Sequence, residues 1–80
     1  MAGQTLDPES AVPLYQQLAD LLRADIESGR IQPDRPLPSE LTLQQEHGVS
    51  RVTVRHSFQL LREAGLVVTV RGKGTYVATR

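Results

Sequence analysis

The chain has 80 residues, no cysteine and two histidines, so it admits one domain without a disulfide staple, a thiolate nucleophile or a four-ligand zinc site. No basic N-terminal region leads into an apolar run, and no apolar stretch is long enough to cross a bilayer, which points to a soluble cytoplasmic protein. The formal net charge of zero is unevenly spread: residues 1–40 hold seven acids against three arginines, and residues 41–80 hold six bases against two acids, so a basic half can face phosphates.

Residues 1–12 lack periodicity, and Pro8 among scattered acids suggests a flexible arm before a domain over 13–80. From Pro13, apolar residues recur at helical spacing as Leu14, Leu18, Leu22 and Ile26, with Leu21 alongside. Pro13 suits a first helical position and Gly29 the residue past the end, so a helix is predicted from about Pro13 to about Ser28. Pro33, Pro36 and Pro38 then deny the chain both helix and central strand. Ser39 offers an N-cap and Glu40 an acidic first turn for a short second helix that Gly48 stops. Ser50 caps a third helix over 50–64, with Val49 and Val54 placed as a hydrophobic staple.

Val54, Ser57, Phe58 and Leu61 form the inward stripe of that third helix. At ~100° per residue its outward face is Val52, Arg55, His56 and Gln59, with Arg51 at the edge. The tail then changes period. Leu66 to Val70 and Thr75 to Thr79 read as strands, and Arg71 to Gly74 as their glycine-rich turn. The predicted fold is mostly α with a small antiparallel β-hairpin: a winged helix-turn-helix of three helices plus a wing.

Two helices joined by a tight glycine turn, the second carrying a cationic outer face, suit the major groove of DNA. Arginine reads guanine bidentately, valine and threonine methyls touch the thymine methyl, and hydroxyls bond phosphate oxygens. Arg51, Val52, Thr53 and Arg55 supply that set within two turns. The hairpin adds Arg71 and Lys73 on glycines that let main-chain N–H groups approach phosphates or enter the minor groove.

The segments Pro13-Leu14-Tyr15, Leu37-Pro38-Ser39-Glu40, Gly48-Val49-Ser50-Arg51, Thr53-Val54-Arg55, Gly65-Leu66 and Gly72-Lys73-Gly74-Thr75 resemble, in order and spacing, the DNA-binding domain of the GntR family of bacterial transcription regulators. The resemblance covers about residues 12–78. It implies a homodimer on a palindromic double-stranded operator, normally repressing transcription. It also implies DNA contacts from Ser50, Arg51, Thr53, Arg55 and the wing residues Gly72 and Gly74. With the outward face and the flanking motifs, the expected DNA-binding residues are Ser39, Ser50, Arg51, Val52, Thr53, Arg55, His56, Gln59, Arg71, Gly72, Lys73, Gly74 and Thr75. No cofactor or metal is called for, and the expected location is the cytoplasm, at the nucleoid.

Several positions depart from the family's pattern. Leu41 stands where a basic residue often helps hold phosphate, so that contact is expected to be missing. Gln44 and Ser57 stand where alanine is usual, and Gln44 is expected to loosen the packing of the two helices or to bond locally. Pro33-Asp34 replaces a proline-glycine pair, which is expected to change only the turn type. Members usually carry a C-terminal effector-binding domain, and this chain is expected to lack it.

Two other functional classes compete. A winged helix can turn its groove face to a protein partner, and Leu41 with the zero net charge favours that reading, whereas Arg51, Arg55 and the basic wing tip oppose it. An enzyme is disfavoured because His47 and His56 lie on different helices without a nucleophile or carboxylate pair. The Gly72-Lys73-Gly74-Thr75 run also lacks the spacing of a phosphate-binding loop.

Overall fold

The computed structural model describes residues 6–79. Three helices, α1 (Leu14–Glu27), α2 (Glu40–His47) and α3 (Arg51–Glu63), precede a hairpin of β1 (Val67–Val70) and β2 (Gly74–Val77). This is the winged helix-turn-helix order expected from the hydrophobic periods.

Pro13 occupies the N-cap of α1, one position earlier than expected, and its carbonyl accepts the N–H groups of Gln16 and Gln17 at 3.0 and 3.1 Å. A cap without an N–H loses nothing there, because a helix's first N–H groups have no intrahelical partner. Residues 1–5 of the expected arm lie outside the described residues. Residues 6–12 are held to α1 by Gln17, whose Oε1 accepts the Asp7 N–H and whose Nε2 donates to the carbonyls of Asp7 and Val12.

The core is one apolar cluster. Leu18 and Leu22 of α1 meet Leu43 of α2, Val54, Phe58 and Leu61 of α3, and Leu37, Leu66, Val67 and Val77 around the hairpin. The inward stripe read from helical spacing is thus the buried one. Ser57 is fully buried within it, and its hydroxyl lies 2.7 Å from the Tyr15 carbonyl of α1 and 3.1 Å from the Thr53 carbonyl. A buried hydroxyl without a partner costs a few kcal/mol, so these carbonyls make serine tolerable where alanine was expected. They also couple α3 to the first turn of α1.

Asp34 has a φ of 65°, the left-handed conformation that glycine adopts freely, so the turn has a shape suited to glycine and the aspartate bears the strain. The turn is held because residues beside it pair with β2. The Asp34 N–H donates to the Val77 carbonyl, the Val77 N–H to the Arg35 carbonyl and the Leu37 N–H to the Thr75 carbonyl, at 2.8 to 3.0 Å. Pro36 bridges Tyr76 at this edge, where a residue lacking an N–H is tolerated.

The hairpin register pairs Val67 with Val77, Val68 with Tyr76, Thr69 with Thr75 and Val70 with Gly74. Gly74 therefore belongs to β2 rather than to the turn, which is Arg71-Gly72-Lys73 and is closed by the Lys73 N–H on the Val70 carbonyl at 3.0 Å. At the other end the Ala78 N–H reaches the Leu66 carbonyl at 2.9 Å. Among the described residues no helix is long and apolar enough to cross a membrane.

Candidate nucleic-acid interface

The two helices of the motif begin with the same device. Ser39 Oγ accepts the Thr42 N–H at 3.1 Å and donates to Thr42 Oγ1 at 2.9 Å. Ser50 Oγ does the same with Thr53, at 3.1 and 3.0 Å. Each serine satisfies one orphan N–H of its helix, and each threonine keeps its own hydroxyl proton for another acceptor. Between the helices Gly48 takes φ 65°, ψ 36°, a left-handed turn that an L side chain rarely adopts, and half-buried Val49 packs on the core cluster to which Val54 belongs. These local choices set the angle at which α3 leaves α2.

The core stripe of α3 turns its other residues outward. Arg51, Val52, Arg55, His56 and Gln59 are exposed and Thr53 is half-buried. Three of the outward side chains are already engaged. Arg55 Nε donates to Glu40 Oε2 at 3.1 Å, an ion pair across the helix-turn-helix. The His56 ring stacks on Tyr15 of α1 with centroids 3.7 Å apart and planes 6° from parallel. Gln59 Nε2 donates to Glu63 Oε2 at 3.3 Å. An Nε contact leaves the two terminal nitrogens of Arg55 for a bidentate partner.

Helix and wing share one open groove of about 670 Å³, lined by Val52, Arg55, His56 and Gln59 from α3 and by Thr69, Gly74 and Thr75 from the hairpin. Arg62 Nη1 donates to Thr69 Oγ1 at 3.1 Å and so ties the C-terminal end of α3 to β1. A second depression of about 400 Å³ brings Ser39 and Leu41 at the start of α2 against Lys73, Gly74 and Thr75 of the wing. Arg71 and Gly72 are exposed at the turn. Ser39, Val52, Arg55, His56, Gln59, Lys73, Gly74 and Thr75 thus line one or both of two adjoining concavities that share Gly74 and Thr75, whereas Ser50, Arg51, Thr53, Arg71 and Gly72 line neither of the two.

Glu40, Tyr15, Arg62, Thr69 and Thr42 support this surface, although the sequence names none of them as a DNA contact. The two serine-threonine caps had a local signal, a threonine three residues after each serine. The Arg55–Glu40 and His56–Tyr15 pairs had none, because partners fifteen and forty-one residues apart obey no helical or strand period.

The model of the family described as bacterial regulatory proteins, gntR family, matches residues 14–77. The chain belongs to this family. Among curated relatives, the transcriptional repressor NagR of Bacillus subtilis is 38% identical over 73 residues, covering 91% of this chain and 30% of that protein. The mannosyl-D-glycerate transport/metabolism system repressor MngR of Escherichia coli is 48% identical over 65 residues, or 81% and 27%. The chain therefore spans less than a third of the length of these relatives. Among solved structures, the GntR-family transcription factor YtrA from Sulfolobus acidocaldarius superposes with a TM-score of 0.86 at 32% identity, covering 95% of this chain and 80% of that one. The AraR DNA-binding domain in complex with operator ORE1 gives 0.82 at 40% identity, covering 91% and 89%. This is a family of DNA-binding regulators rather than enzymes.

Proposed function

We propose that the chain is a sequence-specific reader of double-stranded DNA in a transcription regulator, with α3 in the major groove and the wing on the backbone or in the neighbouring minor groove. The observation that carries this reading is the shared groove: the arginine-bearing face of α3 and the glycine-rich ribbon lie on the same side, so one duplex can meet both. A helix of this width fits the major groove, and its N-terminal turn brings Arg51, Val52, Thr53 and Arg55 toward base edges.

Roles follow from chemistry. The terminal nitrogens of Arg55 suit the O6 and N7 acceptors of guanine, and the Glu40 carboxylate aims the guanidinium by holding Nε. Arg51 and Thr53 at the capped N-terminus suit phosphate oxygens, and Ser50 and Ser39, whose hydroxyl protons go to Thr53 and Thr42, suit them through their main-chain N–H groups. Tyr15 supports His56 for a backbone or base contact, and Gln59 exchanges Glu63 for a base edge. Arg71 and Lys73 neutralise phosphates, while Gly72, Gly74 and Thr75 let main chain and hydroxyl come close. Leu41, exposed beside the wing, brings no cation to that depression.

Operator binding comes to this chain from AraR, whose DNA-binding domain is seen with operators ORE1 and ORX1, and repression from NagR and MngR, which are named as repressors. A homodimer on a palindromic operator, with effector binding located outside these residues, completes the reading. The test is selection from random duplexes followed by salt titration. Enrichment of a two-fold symmetric site is expected, with log affinity falling by about 0.9 for each phosphate neutralised per unit of log salt. A flat salt dependence with no enriched sequence would assign the face to a protein partner instead.

A further inference from the structure

Val52 is the most exposed large apolar side chain among the described residues, at 75% of its full accessible surface. A single exposed valine needs no explanation in general. Its placement is what calls for one. It sits in the first turn of α3 and lines the groove shared with the wing, on the face otherwise made of Arg51, Arg55, His56 and Gln59. Stability of α3 does not account for it, since a β-branched residue packed on nothing is a poorer helix former than alanine.

Resting on the reading of this face as DNA-binding, we infer that Val52 is a specificity-determining residue that recognises the C5-methyl group of a thymine. Of the groups that base edges present in the major groove, this methyl is the one an isopropyl side chain favours over water. Valine in a helix is confined to essentially one rotamer, so both methyls are already placed and little freedom is lost on contact. The arginine three residues on narrows the position. Helix neighbours at that spacing have Cβ atoms roughly 5–6 Å apart, and successive bases on one strand are separated by about 3.4 Å. The thymine read by Val52 therefore lies about one to two base-pair steps from the guanine read by Arg55. Each half-site contains a guanine and a thymine in that relation.

The test removes the methyl and nothing else. In the duplex enriched by selection, each thymine is replaced in turn by deoxyuridine, which keeps the base pair and the O4 acceptor, and affinity is measured by fluorescence anisotropy. One thymine per half-site, within two base pairs of the guanine that depends on Arg55, is expected to be sensitive. Loss of its methyl weakens binding about fourfold, the ratio for exposing one buried methyl-sized group. In Val52→Ala, a substitution at an exposed helix position that does not lower the melting temperature, the same replacement is silent. The inference is overturned if no deoxyuridine weakens the wild-type complex, or if the sensitivity persists undiminished in Val52→Ala. It also falls if the sensitive thymine lies elsewhere in the site. Failure to enrich any duplex is a different result, which removes the DNA reading itself and this contact with it.

Discussion

At the scale of single residues, Arg55 combines a proposed guanine contact with an observed constraint. The Glu40 carboxylate fixes its Nε, so Arg55→Ala is expected to cost ~1 to 3 kcal/mol of specific affinity and to blur base preference at one position, as measured by competition with singly substituted duplexes. Glu40→Gln should keep affinity for backbone while loosening that same preference, because the guanidinium loses its charged anchor but not its own charge. Asp34 makes a separate prediction about stability. Its positive φ costs an L residue about 1–2 kcal/mol, and glycine in the unfolded chain costs about half that. Asp34→Gly should therefore raise stability by ~0.5–1 kcal/mol in chemical denaturation, with the DNA face untouched.

The elements carry function through the way they are joined. The caps at Ser39 and Ser50 and the left-handed Gly48 fix α2 and α3 at one angle, and the Arg62–Thr69 hydrogen bond fixes the wing to the far end of α3. The wing is also braced by residues 34–37, which pair with β2 along its open edge. It is thus a supported ribbon that holds its turn at a set place beside the helix. Lys73→Ala should weaken binding to specific and random duplexes alike and lower the magnitude of the salt slope by about 0.9, the share of one phosphate. A slope equal to that of the wild type would remove Lys73 from the backbone contact.

At the scale of the whole molecule, one small cluster supports every element, so interface and core cannot be separated energetically. Leu18 is fully buried where α1 packs under α3, and Leu18→Ala is expected to lose ~2–5 kcal/mol, a large part of the stability of a domain this size. Thermal melting should show the loss directly. DNA binding at raised temperature should fail in parallel, though no DNA-facing residue has changed. The helices' apolar stripes are spent on this core, so the isolated chain is expected to sediment as a monomer or a weak dimer in the absence of DNA.

The helices, their capping serines, the inward and outward faces of α3 and the hairpin were all legible in the order of residues, because each depends on a period or a cap that acts within a few positions. Periodicity alone places Val54, Ser57, Phe58 and Leu61 inside and Arg51, Val52, Arg55, His56 and Gln59 outside. What lay beyond local rules was decided by packing at long range: the salt link from Arg55 to Glu40, the stack of His56 on Tyr15, the pairing of residues 34–37 with β2, and the left-handed Asp34 which that pairing holds in place. Chain neighbours govern which face a side chain takes. Which distant side chain it meets there depends on how the helices cross, and that crossing is set jointly by the whole core.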